Sequence, residues 1–193
     1  MSDLKLDVDQ AGELKAAFRR EGPWTNEEIK MLCERKGFLS QVREALLGRA
    51  EIKQIEYLVD LDADPFVPEG WKVVDHCKSG LFKYDPAKVG LYLSKKQQNG
   101  KVIVGNDLRK ELKSQPVYNA NLLDFYLKKE NQHLIPEEWN EKMVFFWGTI
   151  YHNSDGDLYV RGLYWNGDRW CWGYLWLLVG EFGGYRPAVV SAS

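Results

Sequence analysis

Three strand-like runs close together near the end of the chain, separated by turn-forming residues, constrain the fold more than anything else in the sequence. Met143 to His152, Leu158 to Trp165 and Arg169 to Leu177 are rich in aromatic and β-branched residues. The breaks between them are Asn153-Ser-Asp-Gly156 and Asn166-Gly167. Asn and Gly tolerate positive φ, so Asn-Gly between apolar strands is the strongest short-range hairpin signal. Thirteen of the 26 aromatic residues fall between Phe145 and Tyr185. A three-stranded antiparallel meander over residues 143–177 follows.

Alternation of strand side chains then predicts two unlike faces. With Asn166-Gly167 as a two-residue turn, Leu163 opposes Trp170, Arg161 opposes Trp172 and Tyr159 opposes Tyr174. With Ser154-Asp155-Gly156 as a three-residue loop, Tyr151 opposes Tyr159, Thr149 opposes Arg161 and Trp147 opposes Leu163. One face therefore carries Tyr151, Tyr159, Tyr174, Trp172, Trp147 and Trp170, with Arg161 central and Trp176 continuing the strand. The other carries Gly148, Gly162 and Cys171, then Ile150, Val160 and Gly173. Small side chains there admit another element, so the helices are expected on that side.

Upstream, residues 1–57 read as a helical segment. Ala11 to Arg20 is rich in helix formers, Thr25 and Glu28 have capping-box spacing, and Phe38 to Leu47 is amphipathic with Gly48 placed to close it. Ile55 to Leu61 resembles a strand ended by Asp60-Leu-Asp-Ala-Asp64 and Pro65. Further helices are expected after Asp85-Pro86, from Asn106 over Asp107 to Lys113, and from Asn119 over Ala120 to Lys129. Val67-Pro-Glu-Gly-Trp71 and Ile135-Pro-Glu-Glu-Trp139 echo one another, as a Pro-Glu turn with a Trp covering a core edge. The expected class is α+β, with residues 58–193 forming the α+β domain and helices packed on one face of its sheet.

Function is less legible. The charge of 26 minus 28, or −2, gives no bulk basic field for nucleic acid. No apolar run approaches a membrane span and the start is polar, so a cytoplasmic, non-membrane protein is expected. Cys33, Cys77 and Cys171 are odd in number and never in a Cys-x-x-Cys pair, which suggests reduced thiols and no metal. His76 and Cys77 are adjacent on a strand and should point apart, and Asp60, Asp62 and Asp64 fail the calcium-loop pattern. No phosphate-cradling, nucleophile-elbow or zinc-protease motif occurs, so no catalytic residue and no cofactor is expected.

What remains is the aromatic face, which either lines a small curled sheet closed by the Pro-Glu-x-Trp segments or stays open as a binding platform. A guanidinium central in an aromatic row is costly to bury unpaired and is a common interface anchor. The leading expectation is a binding or regulatory module that recognises a protein partner through Tyr151, Tyr159, Arg161, Trp170, Trp172, Tyr174 and Trp176. The alternative is a nucleic-acid-binding accessory or inhibitor protein, with Lys95, Lys96, Lys101, Arg109 and Lys110 on phosphates and the rings on bases. A hydrolase with an unrecognised site ranks third.

The strings Phe145-Phe-Trp-Gly-Thr-Ile-Tyr151 and Leu158-Tyr-Val-Arg-Gly-Leu-Tyr-Trp165, with Ile135-Pro-Glu-Glu-Trp139 and Gly105-Asn-Asp-Leu-Arg-Lys-Glu-Leu112, resemble a family of uncharacterised bacterial proteins over roughly residues 30–190. The resemblance implies a bacterial, intracellular setting and points to no particular activity.

Overall fold

The computed structural model describes residues 7–22, 24–52 and 56–192. By its contacts the chain divides into two units, residues 1–55 and 56–193. In the first lie α1 (Val8–Arg20), α2 (Asn26–Glu34) and α3 (Phe38–Leu46). Thr25 and Glu28 form the expected reciprocal cap, the Thr25 hydroxyl accepting from the Glu28 amide at 3.2 Å. Gly48 has φ +70°, the left-handed closure expected after α3. Among the described residues of α1, α2 and α3, none is buried. Part of the strand anticipated from Ile55 lies outside the described residues; what is seen is β1 (Leu58–Asp60).

The second unit is α+β. Its strands after β1 are β2 (Lys72–His76), β3 (Leu81–Lys83), β4 (Val89–Tyr92), β5 (Ile103–Val104), β6 (Met143–His152), β7 (Leu158–Trp165), β8 (Trp170–Trp176), β9 (Glu181–Phe182) and β10 (Ala188–Ser191). Its helices are α4 (Gly105–Leu112) and α5 (Ala120–Leu127). Asp85 and Pro86 open a single 3-10 turn that leads straight into β4, not the helix expected there. α4 begins at Gly105, one residue before the anticipated Asn106 cap, because the Asn106 amide is committed to the Leu177 carbonyl at 2.9 Å. The main sheet runs β4-β10-β6-β7-β8, with β2 also on β6. β6, β7 and β8 are the meander, within a residue of the predicted bounds.

Both Pro-Glu segments make one turn, in which the Trp71 amide donates to the Pro68 carbonyl and the Trp139 amide to the Pro136 carbonyl, each at 3.0 Å. Trp139 is buried against Tyr126 of α5.

The first hairpin loop is as expected: the Asn153 amide meets the Asp157 carbonyl, and Gly156 takes φ +83°. The second is displaced by one residue. Asn166 pairs with Arg169 (N···O 3.1 Å) and its side-chain oxygen accepts from the Asp168 and Arg169 amides. Gly167, at φ +96°, therefore occupies the first central position, as in a type II′ turn. Every β8 partner moves by two, so Arg161 faces Tyr174 and Tyr159 faces Trp176. A two-residue slip keeps each side chain on its face.

β6 carries the larger departure. Tyr151 pairs with Tyr159 as expected, but the register slips by three between Phe145 and Ile150, which sets Val144 against Leu163. The odd shift turns Trp147 onto the opposite face from Leu163, a bulge effect that alternation alone misses. At the bulge the edge of β6 passes from β10 to β2. There the Gly148 amide donates to the Tyr118 carbonyl and its carbonyl accepts from Cys77. A Cβ on Gly148 would lie 2.8 Å from the Asn119 nitrogen, so this glycine permits the close approach of the α5 lead-in.

The two faces of the sheet bury separate clusters. α5 supplies Leu122, Leu123, Phe125 and Tyr126 to the face of Leu163 and Trp170. α4 supplies Leu108 and Leu112 to the face of Phe145, Ile150 and Val160. Helices thus cover both faces, not one. The space at Gly162 is filled by the Phe145 ring and that at Gly173 by Met143 and Tyr164, neighbours within the sheet.

Candidate binding surface

Arg161 is internal. It is 1% exposed and forms a two-armed pair with Asp124 of α5, Nη2–Oδ1 at 2.8 Å and Nη1–Oδ2 at 3.2 Å. Its guanidinium lies 4.9 Å from the Phe66 ring centre and 4.7 Å from that of Trp172. Arg161 is therefore not available to a partner as placed, and the same holds for Tyr151 and Trp170, both buried. Burial pushes the Tyr151 hydroxyl above the ordinary tyrosine range, with the Arg161 charge opposing it. α5, an apolar helix, roofs Arg161 and Trp170, while Tyr151 lies against the 66–71 segment, its hydroxyl donating to the Phe66 carbonyl at 3.1 Å and its ring 5.8 Å from that of Trp71. A signal for the pair was present: Asp124 is the lone charge in α5 and Arg161 the lone charge in β7. Lone charges on two apolar elements satisfy each other when the elements pack.

The other half of the face stays open. Trp71, from the first Pro-Glu turn, stacks on Tyr159 at 4.8 Å with 28° between the planes, and meets the Tyr174 ring at 5.0 Å. Tyr159 lies 5.5 Å from Tyr174 and 6.5 Å from Trp176. Trp172 links Tyr174 (6.4 Å) to Phe66 (6.1 Å). Tyr159, Trp172 and Trp176 are half-buried, whereas Tyr174 is 54% exposed and Phe66 is exposed as well. The result is one connected band of six rings on β7, β8 and the 66–71 segment.

The basic residues are elsewhere. Arg109 and Lys110 belong to α4, on the far face of the sheet from the rings. Arg109 is paired with Asp75, Lys110 with Asp107 at 2.9 Å and Lys96 with Glu111 at 2.8 Å. Lys95 shares the 3-10 turn of Lys96, and Lys101 follows in the loop before β5. The expected juxtaposition of phosphate-holding cations with stacking rings is not formed.

A cleft of about 340 Å³ lies between β2, α4 and β6, lined by Asp75, His76, Cys77, Arg109, Lys113 and Trp147 among others. His76 Nδ1 is 2.9 Å from the Thr149 hydroxyl oxygen, which accepts the Ala120 amide at the start of α5. The imidazole thus braces the sheet against the helix. Burial, with Asp75 adding to it, raises the Cys77 thiol, opposite to what a nucleophilic thiolate needs. Asp60 and Asp62 spend their carboxylates on the amides of Asp62, Ala63 and Gly80, as loop braces. Among the described residues no helix is long and apolar enough to cross a membrane. No protein-family model, curated protein or solved structure matches the chain.

Proposed function

We propose that the protein is a non-enzymatic binding or regulatory module that recognises a protein partner through the open half of its aromatic face. The observation that carries this reading is the ring band itself, in which Tyr174 stands exposed between Trp71, Tyr159 and Trp172. Folded chains seldom leave contiguous apolar surface open without a use, and Trp and Tyr supply large contact area at low entropic cost. The anchors move accordingly, from Arg161 to Tyr174 with Trp172 and Trp176 beside it. A protein is favoured over nucleic acid because three of the five candidate phosphate contacts already hold carboxylates.

The test is affinity capture with the wild-type chain and with Tyr174→Ala, each with and without nuclease. A protein retained by the wild type and weakened by more than about 1 kcal/mol in the variant supports the reading. Loss of the captured material on nuclease treatment turns it toward nucleic acid, and capture indifferent to Tyr174 removes the band from the interface.

A further inference from the structure

The backbone at the rim of the band is as open as the rings. β8 ends the strand order of the main sheet. The Leu177 amide donates to the Leu158 carbonyl at 2.8 Å, and the β7–β8 register is unbroken from there to Trp165–Trp170. In an antiparallel ladder bonded pairs alternate, so Cys171, Gly173 and Leu175 face β7 while Trp170, Trp172, Tyr174 and Trp176 turn their backbone groups outward. Of these, the Trp176 carbonyl is taken by the Gly180 amide at 2.7 Å. Among the described residues no strand pairs with the outward groups of Trp172 and Tyr174.

Exposed edges are ordinarily blunted by a charge, a proline or a bulge. β8, Trp-Cys-Trp-Gly-Tyr-Leu-Trp, has none of these. Such an edge is a template for strand addition, with backbone bonds supplying affinity and alternate side chains supplying selectivity.

The charges around the band select the partner's sign. Residues 61–71 and 153–157, the two segments flanking the rings, carry Asp62, Asp64, Glu69, Asp155 and Asp157 and no Lys or Arg; the nearest cations along the chain are Lys72 and Arg161, the latter already paired with Asp124. That field reaches the rings: the Tyr159 hydroxyl is pushed up by burial first, then by Asp157, Tyr174 and Asp155. The face also already accommodates one guanidinium, that of Arg161 between Phe66 and Trp172. Aromatic faces edged by carboxylates suit ammonium and guanidinium groups.

We infer that the free edge of β8 accepts an extended, Lys- or Arg-bearing polypeptide segment as an added strand, its cationic side chains lying on the aromatic band inside the carboxylate rim. This rests on the protein-partner reading above and names the form that the partner takes.

The probes are two capped eight-residue peptides, one alternating Val with Lys and one alternating Val with Glu. Each is titrated into the full chain while indole fluorescence and the hydrogen exchange of individual backbone amides are followed. The Lys peptide should bind at least about tenfold more tightly than the Glu peptide and, at saturation, slow exchange at the Trp172 and Tyr174 amides by about tenfold or more. Tyr174→Pro removes one outward N–H without touching the β7 ladder and should abolish that protection. If it does not fold, Tyr174→Lys, at an exposed site, should do so by repulsion, while Tyr174→Phe retains it. Equal binding of both peptides, or none at about 1 mM, overturns the inference. Binding without amide protection overturns strand addition yet leaves the aromatic surface standing. Protection of the same amides without peptide, together with a dimer in ultracentrifugation, assigns the edge to a second copy and overturns the inference.

Discussion

Arg161 and Asp124 are unequal partners, and that inequality decides what their removal costs. The arginine is sealed at 1% exposure, whereas the Asp124 side chain keeps 28% and so retains some water. Asp124→Ala leaves a buried guanidinium without its counter-ion and should destabilise by about 3 to 5 kcal/mol; Arg161→Met leaves a half-wetted carboxylate and should cost less, about 1 to 3 kcal/mol. Urea unfolding of the two variants checks the order, and an Asp124→Leu/Arg161→Met double variant should recover most of the loss. Two buried tyrosines give a second test. Burial raises the hydroxyls of Tyr126 and Tyr151. Their unfolded-state value is about 10, so above that pH the unfolded chain loses protons that the folded chain keeps. Stability is therefore intact below about pH 10 and falls as pH rises beyond it, with a slope that approaches about 1.4 kcal/mol per pH unit for each tyrosine that stays protonated in the folded chain. Unfolding midpoints from pH 8 to about 11 would measure this, and Tyr126→Phe should shallow the slope.

Elements meet through Gly148 and Asn119. Asn119 caps α5 through its side-chain oxygen on the Asn121 amide (3.1 Å), and its amide group donates to the Leu61 and Cys77 carbonyls at 2.7 and 2.8 Å. One side chain thus fixes the helix start against two loops, directly over the bulge in β6. Gly148→Ala would force its new carbon into the Asn119 backbone, with expected destabilisation of about 1 to 3 kcal/mol, read as a lowered unfolding midpoint. The meander was legible because Asn153, Gly156, Asn166 and Gly167 punctuate its strands by local chemistry. Its exact pairing was not, because the Asn166 side chain draws the turn one residue onward and the lead-in to α5 wedges β6 into a bulge.

At the scale of the molecule, both buried clusters lie within residues 56–193. That fragment should fold by itself and unfold cooperatively, which a thermal melt of the isolated segment will check. Composition and local pattern were enough to establish an α+β chain, helical over its first segment and ending in a Trp- and Tyr-rich meander, since caps, turns and strand alternation act over a few residues. Which side of that meander a helix would roof was beyond them. The sheet has apolar residues on both faces, and alternation marks only which side chains go together, not what packs on them. The choice falls to the long-range fit of α5, whose lone carboxylate finds the lone guanidinium of β7 and closes half the aromatic face. The other half is open because the buried cluster that α5 builds does not extend to Tyr159 and Tyr174.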